Sequence, residues 1–280
     1  MMLAIASMRL SAPATARADE PIQPDRPGIA DGSLVVGPRR FQVEVGVQRQ
    51  TSSGQGRDDR ILFTPTLLRY GFDQRWEARI ETNAFTQERT LMPDTGAHST
   101  SGYSPVSVGA KYHFRDATAK NGNLSLGTIL RLFAPSGSSD FRTHHLTGDL
   151  RLAGDWSIGP NWALNPNVGV AVYEDNAGQV FPAGLFALTL TYSPNKPLQP
   201  FLDVGIQSPE EKAGRTALLF DGGATYLLNN DTQIDFGVGP GLLGRTTPDL
   251  FWTAGVSYRF GPSGSRKPGQ AKILLTVTRR

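Results

Sequence analysis

The sequence predicts an all-β protein: a transmembrane antiparallel up-and-down β-barrel of about twelve strands, with both termini periplasmic. Three observations predict it. The first is the segment Trp162 to Glu174, where Trp162, Leu164, Pro166, Val168, Val170 and Val172 alternate with Ala163, Asn165, Asn167, Gly169 and Ala171. A period of two puts the apolar set on one face of a strand and the small or polar set on the other. A run of this length exceeds the five or six residues usual in soluble sheets and suits a tilted crossing of about 9–11 residues. The second observation is that the pattern recurs along the chain. The third is composition: 39% hydrophobic residues in 280 excludes a helical membrane protein but suits a barrel, where only alternate residues meet lipid.

The elements follow in order. Residues 1–18 read as a truncated export signal, apolar from Met1 to Met8, with Ala16-Arg17-Ala18 as a small-residue cleavage site. Residues 19–38, rich in Pro, Gly and Asp, predict an irregular periplasmic lead-in, with Asp25 to Pro38 long enough to fold back into the barrel as a plug. Residues 39–260 form the barrel. The first strand sets Phe41, Val43, Val45 and Val47 against Gln42, Glu44, Gly46 and Gln48. The second spans about 60–70. The third, about 76–85, opposes Trp76, Ala78 and Ile80 to Glu77, Arg79 and Glu81. The fourth, about 105–115, opposes Val106, Val108, Ala110, Tyr112 and Phe114 to Ser107, Gly109, Lys111, His113 and Arg115. Strands near 123–133, 146–158 and 162–174 come next, then 181–193, 198–207, 217–228, 232–240 and 250–260.

The connections alternate in length. Those at 51–59, 86–104, 134–145 and 208–216 are long; those at 71–75, 159–161 and 229–231 are short. Short periplasmic turns and long external loops produce this alternation. Aromatic residues gather near strand ends: Phe41, Trp76, Trp162, Tyr192, Phe201 and Phe260 at one end, Phe85, Phe133, Tyr173, Phe181 and Trp252 at the other. They predict two interfacial girdles.

Function is legible only on the inward face. The alternation assigns to the lumen Glu44, Glu77, Arg79, Glu81, Lys111, His113, Arg115, Arg131, Asp149, Arg151, Asp155, Asp203, Asp221, Asp235 and Arg259. A mid-depth Arg or Lys on the lipid face would cost about 2–4 kcal/mol, which explains their confinement to one face. Such charges either set the selectivity of a pore or pair across strands as a scaffold. No catalytic set, metal cluster or cofactor motif emerges. His98 and the pair His144-His145 fall in loops. Gly237-Val238-Gly239-Pro240-Gly241 has no following Lys or helix, so it is no phosphate loop. The chain has no Cys, which leaves no thiolate metal site. The formal charge of +3 arises in the tail 261–280, where Arg266, Lys267, Lys272, Arg279 and Arg280 supply +5 and leave −2 on the rest. A nucleic-acid partner is therefore not expected.

Three motifs carry a resemblance: DRPGIADGSLVVGPRRFQVEVGV from Asp25 to Val47, LLRYGFDQRWEARI from Leu67 to Ile80, and the ending DTQIDFGVGPGLL with TPDLFWTAGVSYRF between Asp231 and Phe260. Over about 25–260 the chain resembles the bacterial outer-membrane proteins grouped as "putative MetA-pathway of phenol degradation", often described as transporters. The resemblance implies an outer-membrane barrel passing small solutes, with outer-membrane lipid and the insertion machinery as partners and no catalytic residues. The solute itself is unknown. The phenol connection comes from the family name alone, and no residue argues for an aromatic substrate. Unlike barrels that end on an aromatic residue, this chain continues for twenty residues past Phe260. The leading expectation is passive passage of small, apolar or aromatic solutes. The alternative is a non-conducting barrel whose external loops bind a ligand or partner; a lipid-modifying barrel enzyme is a distant third.

Overall fold

The computed structural model describes residues 20–54, 57–94, 96–194 and 197–261. The expected export signal over 1–18 and the tail from 262 lie outside them. Among the described residues there are fourteen strands: β1 Arg40–Gly54, β2 Arg57–Gly71, β3 Trp76–Met92, β4 Gly96–Gly102, β5 Ser107–Arg115, β6 Leu124–Phe133, β7 Thr147–Ser157, β8 Trp162–Glu174, β9 Val180–Tyr192, β10 Leu198–Ser208, β11 Ala217–Asn229, β12 Thr232–Gly239, β13 Gly241–Leu243 and β14 Leu250–Phe260. All pairings are antiparallel; they join consecutive strands except for β3–β5, β11–β13 and β12–β14, and β14 closes on β1 from Phe41↔Phe260 to Thr51↔Leu250.

Two pairs of strands are single staves with one interruption. β4 and β5 both pair with β3 in one register, through Met92↔Gly96, Thr86↔Gly102 and Glu81↔Ser107. The gap between them contains Pro105, which brings no N–H to a ladder. β12 and β13 both pair with β11 and are parted by Pro240, for the same reason. The ring is therefore twelve staves, the number the alternation predicts. Both ends of the barrel meet at one rim, here the terminal rim.

The burial is that of a soluble protein turned inside out. The largest fully buried side chains include Arg69, Arg79, Lys111, Gln42, Glu44 and Glu77, whereas Val168 and Val170 are 55% and 63% exposed. Exposed apolar side chains continue around the ring through Leu130, Leu150, Leu202, Phe236 and Val256. A soluble monomer rarely exposes so large an apolar surface; a lipid-facing band does so by construction. At the terminal rim this band ends in ring pairs. Trp76 stacks on Tyr112 and Trp162 lies on Tyr192, each at 4.4 Å between centroids, and Tyr258 meets Phe260 edge-on at the same distance. Their amphipathic rings suit the headgroup level.

Three expectations change. The connections at 51–59 and 86–104 are not loops. β1 and β2 pair out to Gly54↔Arg57, and β3 and β4 to Met92↔Gly96. Their sequences lose the apolar alternation because they leave the lipid band, but hairpin hydrogen bonds still satisfy the backbone. The second change is in the girdles. Phe133, Tyr173, Phe181 and Phe201 sit at inward positions, and Phe181 and Phe201 are 3% and 6% exposed. Position near a strand end does not fix the face; parity does. The third concerns 20–38. This segment forms no strand, but it does not stay at the rim: it runs inside the barrel.

Candidate functional site: a plugged lumen

The N-terminal segment is held by polar groups from nearly every direction. On one side Glu44 of β1 accepts the N–H groups of Asp25 and Arg26 at 2.9 and 3.0 Å. Arg69 of β2 donates to the carbonyls of Gln23 and Leu34 at 3.1 and 3.0 Å. Glu77 of β3 accepts the Val36 N–H at 3.0 Å. Further round, Ser33 donates its N–H to Asp155 of β7 at 2.8 Å, and its hydroxyl lies 2.8 Å from that of Ser125 on β6. Asn167 of β8 brackets Asp31, accepting its N–H and donating to its carbonyl, both at 2.9 Å. Asp203 of β10 accepts the Ile29 N–H at 3.1 Å. The extended backbone has no ladder of its own, so the barrel's side chains satisfy it.

Charges fix the segment more strongly. Asp25 lies 2.5 Å from Arg79, 3.1 Å from Lys111 and 3.6 Å from Arg69. Asp31 lies 2.6 Å from Arg131, 3.3 Å from Arg151 and 3.4 Å from Arg79. Around this pair the wall carries its own carboxylates. Glu44 and Glu77 pair with Arg69 at 3.0 and 2.9 Å, Glu81 with Arg79 and Arg131 at 2.9 and 3.0 Å, and Asp149 with Arg131 and Arg151 at 3.2 and 2.9 Å. On the opposite wall Arg26 reaches Asp235 of β12 at 3.0 Å and Thr253 of β14 at 2.9 Å. Its guanidinium lies over the paired Gly46 and Gly255. A Cβ at either would come within 2.6 Å of guanidinium atoms, so both positions must lack a side chain. Gly205 likewise leaves room for Ile29.

The other inward positions are more peripheral. His113 is buried, its ring Nδ1 3.2 Å from the Ser33 carbonyl. Asp221 is buried directly across the ladder from Asp203. Arg259 closes the terminal rim on Asp231 at 2.7 Å and on the Glu20 carbonyl at 2.9 Å. Arg115 is exposed: a register shift between His113 and Arg115 ends the alternation before it. The reading of the sequence missed Arg69, Asp25, Arg26 and Asp31. Arg69 was legible, because it alternates with Leu68 and Tyr70, which take the lipid-facing parity of β2. The segment's residues carry no periodicity that could assign them a partner.

The segment separates two spaces. One, of about 680 Å³, opens to the rim opposite the termini. Its floor is Asp25 to Ile29, and its wall includes Leu67, Phe133, Tyr173 and Phe181. The rings of Phe133, Tyr173 and Phe181 form a chain with 6.5 Å between successive centroids. The other space, of about 440 Å³, lies under the segment toward the terminal rim and is lined by Ala163, Asn165, Thr189, Phe201 and Gln233.

At the outer rim of the larger space two carboxylates tie loops down. Glu174 accepts the N–H groups of His144 and His145 at 2.9 Å, and its oxygens lie 3.0 and 3.1 Å from their ring Nδ1 atoms. Glu210, in the β10–β11 loop, accepts the N–H groups of Arg245 and Thr246 at 2.7 and 3.0 Å and the Thr246 hydroxyl at 2.9 Å. Burial alone would raise the Glu210 pKa; the donated hydrogen bonds outweigh it and hold the carboxyl below its usual range. A depressed folded pKa stabilises above the ordinary value of about 4.3, and the contribution is lost only as pH falls through the lower folded value. Amide exchange at Arg245 and Thr246, corrected for intrinsic rates, is therefore expected to stay protected from pH 8 down to about 5. Glu210→Gln should speed it about tenfold by removing charge-assisted acceptors.

Comparisons with known proteins agree with this architecture. The family model described as "Putative MetA-pathway of phenol degradation" matches residues 24–260. The COG4313 outer membrane channel from Pseudomonas putida F1 superimposes with a TM-score of 0.61 at 16% identity, covering 81% of this chain and 98% of that one. The β domain of the Bordetella autotransporter BrkA gives 0.50 at 18% identity, covering 79% and 99%. The CymD monoaromatic hydrocarbon channel gives 0.46 at 8% identity, covering 81% and 90%. At these identities the likeness to the first two is one of fold. No curated protein matches the sequence.

Proposed function

This chain belongs to the "Putative MetA-pathway of phenol degradation" family, and on that premise we propose that it is an outer-membrane channel for small apolar or aromatic solutes, closed at rest by its own N-terminal segment. The observation that carries this reading is the aromatic-walled space of Phe133, Tyr173 and Phe181, standing directly on the Asp25 to Ile29 floor. Small-molecule sites are concave, mostly apolar and supplied with a few convergent polar groups. In this reading the terminal rim is periplasmic and the aromatic space opens to the exterior. The chain is exported through the periplasm, inserted by the outer-membrane machinery and held by outer-membrane lipid. Passage is passive and no chemistry is performed. Solutes collect among the rings and cross when the segment moves aside.

The same floor also suits the alternative, a sealed barrel whose external rim binds a ligand. Single-channel recording of the refolded protein in a planar bilayer at two salt concentrations separates the two. Brief openings whose conductance scales with salt support the channel. Stable insertion with no openings, in the wild type and after the segment's anchors are neutralised, contradicts it.

A further inference from the structure

The five cations around Asp25 and Asp31 outnumber the carboxylates that the wall itself provides. Arg69, Arg79, Lys111, Arg131 and Arg151 face Glu44, Glu77, Glu81 and Asp149, so the wall's share of this ion-paired cluster has one more cation than carboxylates. Among the described residues the carboxylate within ion-pair distance of Lys111 is Asp25, which belongs to the plug. Lys111, Arg79 and Arg69 are all essentially inaccessible to solvent. Removing one partner from a buried ion pair is costly, because the charge left behind has neither water nor a counter-ion. Displacing the plug therefore exposes a cationic patch, and that patch makes displacement unfavourable unless another anion fills it.

We propose that Arg79, Lys111 and Arg131 form a binding site for the carboxylate of a small solute, and that Asp25 and Asp31 are its built-in occupants. This rests on the channel reading and adds the charged half of the substrate. The solute class is a small carboxylate with an apolar body: the body suits the Phe133, Tyr173 and Phe181 rings, and the carboxylate suits the patch that the same space meets at Arg79 and Arg131. A ligand shifts a two-state equilibrium only by its differential affinity for the two states. A carboxylate has that difference, because it pairs with cations that are free only when the plug has left. A neutral molecule of the same shape lacks it.

The chain has no Cys, so Ala30→Cys places one thiol on the plug, at a position 7% exposed. The rate of its modification by a maleimide, in the full-length protein refolded into vesicles, reports displacement whether or not ions pass. Millimolar benzoate is expected to raise the rate about tenfold. Benzyl alcohol, and chloride at the same ionic strength, should leave it unchanged. Adding Lys111→Met should abolish the response to benzoate. Equal acceleration by benzyl alcohol or chloride, or no acceleration by benzoate, overturns the carboxylate site. Acceleration by benzoate without any conductance upholds the site and sinks the channel; conductance without a benzoate effect does the reverse.

Discussion

Replacing Arg69 by Met is expected to lower the unfolding free energy of the refolded barrel by about 3–5 kcal/mol. Arg69 is 1% exposed and bridges β2 to two fully buried carboxylates, Glu44 of β1 and Glu77 of β3, while also donating to the Gln23 and Leu34 carbonyls of the plug. Met fills much of the same volume but pairs with nothing. It leaves Glu44 and Glu77 buried without their guanidinium, and that penalty is larger than the net value of the original pair. The effect is tested by urea titration with tryptophan fluorescence as the readout. Adding Glu77→Gln to Arg69→Met should recover part of the loss, because one stranded charge is removed. A single variant within about 1 kcal/mol of wild type would mean that water or ions already reach this patch.

The second large effect falls on the plug. Each anchor carboxylate makes several charge-assisted contacts in a buried setting, worth about 1.5–3 kcal/mol apiece. Asp25→Asn with Asp31→Asn removes about 3 kcal/mol or more of docking energy, which lowers the ratio of docked to displaced plug about a hundredfold or more. Lys111 then has no counter-ion when the plug is docked, which adds to the shift. The open probability in single-channel recordings should rise accordingly. The barrel keeps its ladders, because neither residue belongs to a strand. An unchanged open probability would show that the anchors do not hold the channel shut.

How much of this was legible in the sequence depends on which physical signal carried it. The staves were, because a lipid outside and a polar lumen write alternation directly into β8, β12 and β14. The inward charges follow from the same parity, down to Glu77, Arg79 and Glu81, which take the inward positions while Trp76, Ala78 and Ile80 take the outward ones. The strand extensions to Gly54 and Met92 were not legible, since beyond the lipid a hairpin needs only paired backbone and any polar residue serves. Phe133, Tyr173 and Phe181 were placed at the right depth and on the wrong face, because an aromatic residue near a strand end has reason to be on either. The plug was legible only as a length. Asp25 and Asp31 find their hydrogen-bonding side-chain partners at separations of 48 to 120 residues, through side chains that no local period connects. Ser33 meeting Ser125 and Asp155 belongs to the same class.

The central claim is that the docked segment closes the barrel and that its movement opens it. The most direct test uses Ser33 and Ser125, whose hydroxyl oxygens lie 2.8 Å apart across the gap between plug and β6. In a chain otherwise free of Cys, Ser33→Cys with Ser125→Cys places two thiols side by side, and their disulfide pins the plug to the wall. Conductance is then recorded on the same bilayer before and after a reducing agent is added. The account predicts silence when oxidised and wild-type openings once reduced. Equal, steady conductance in both states would mean that ions pass the docked segment, and would contradict it.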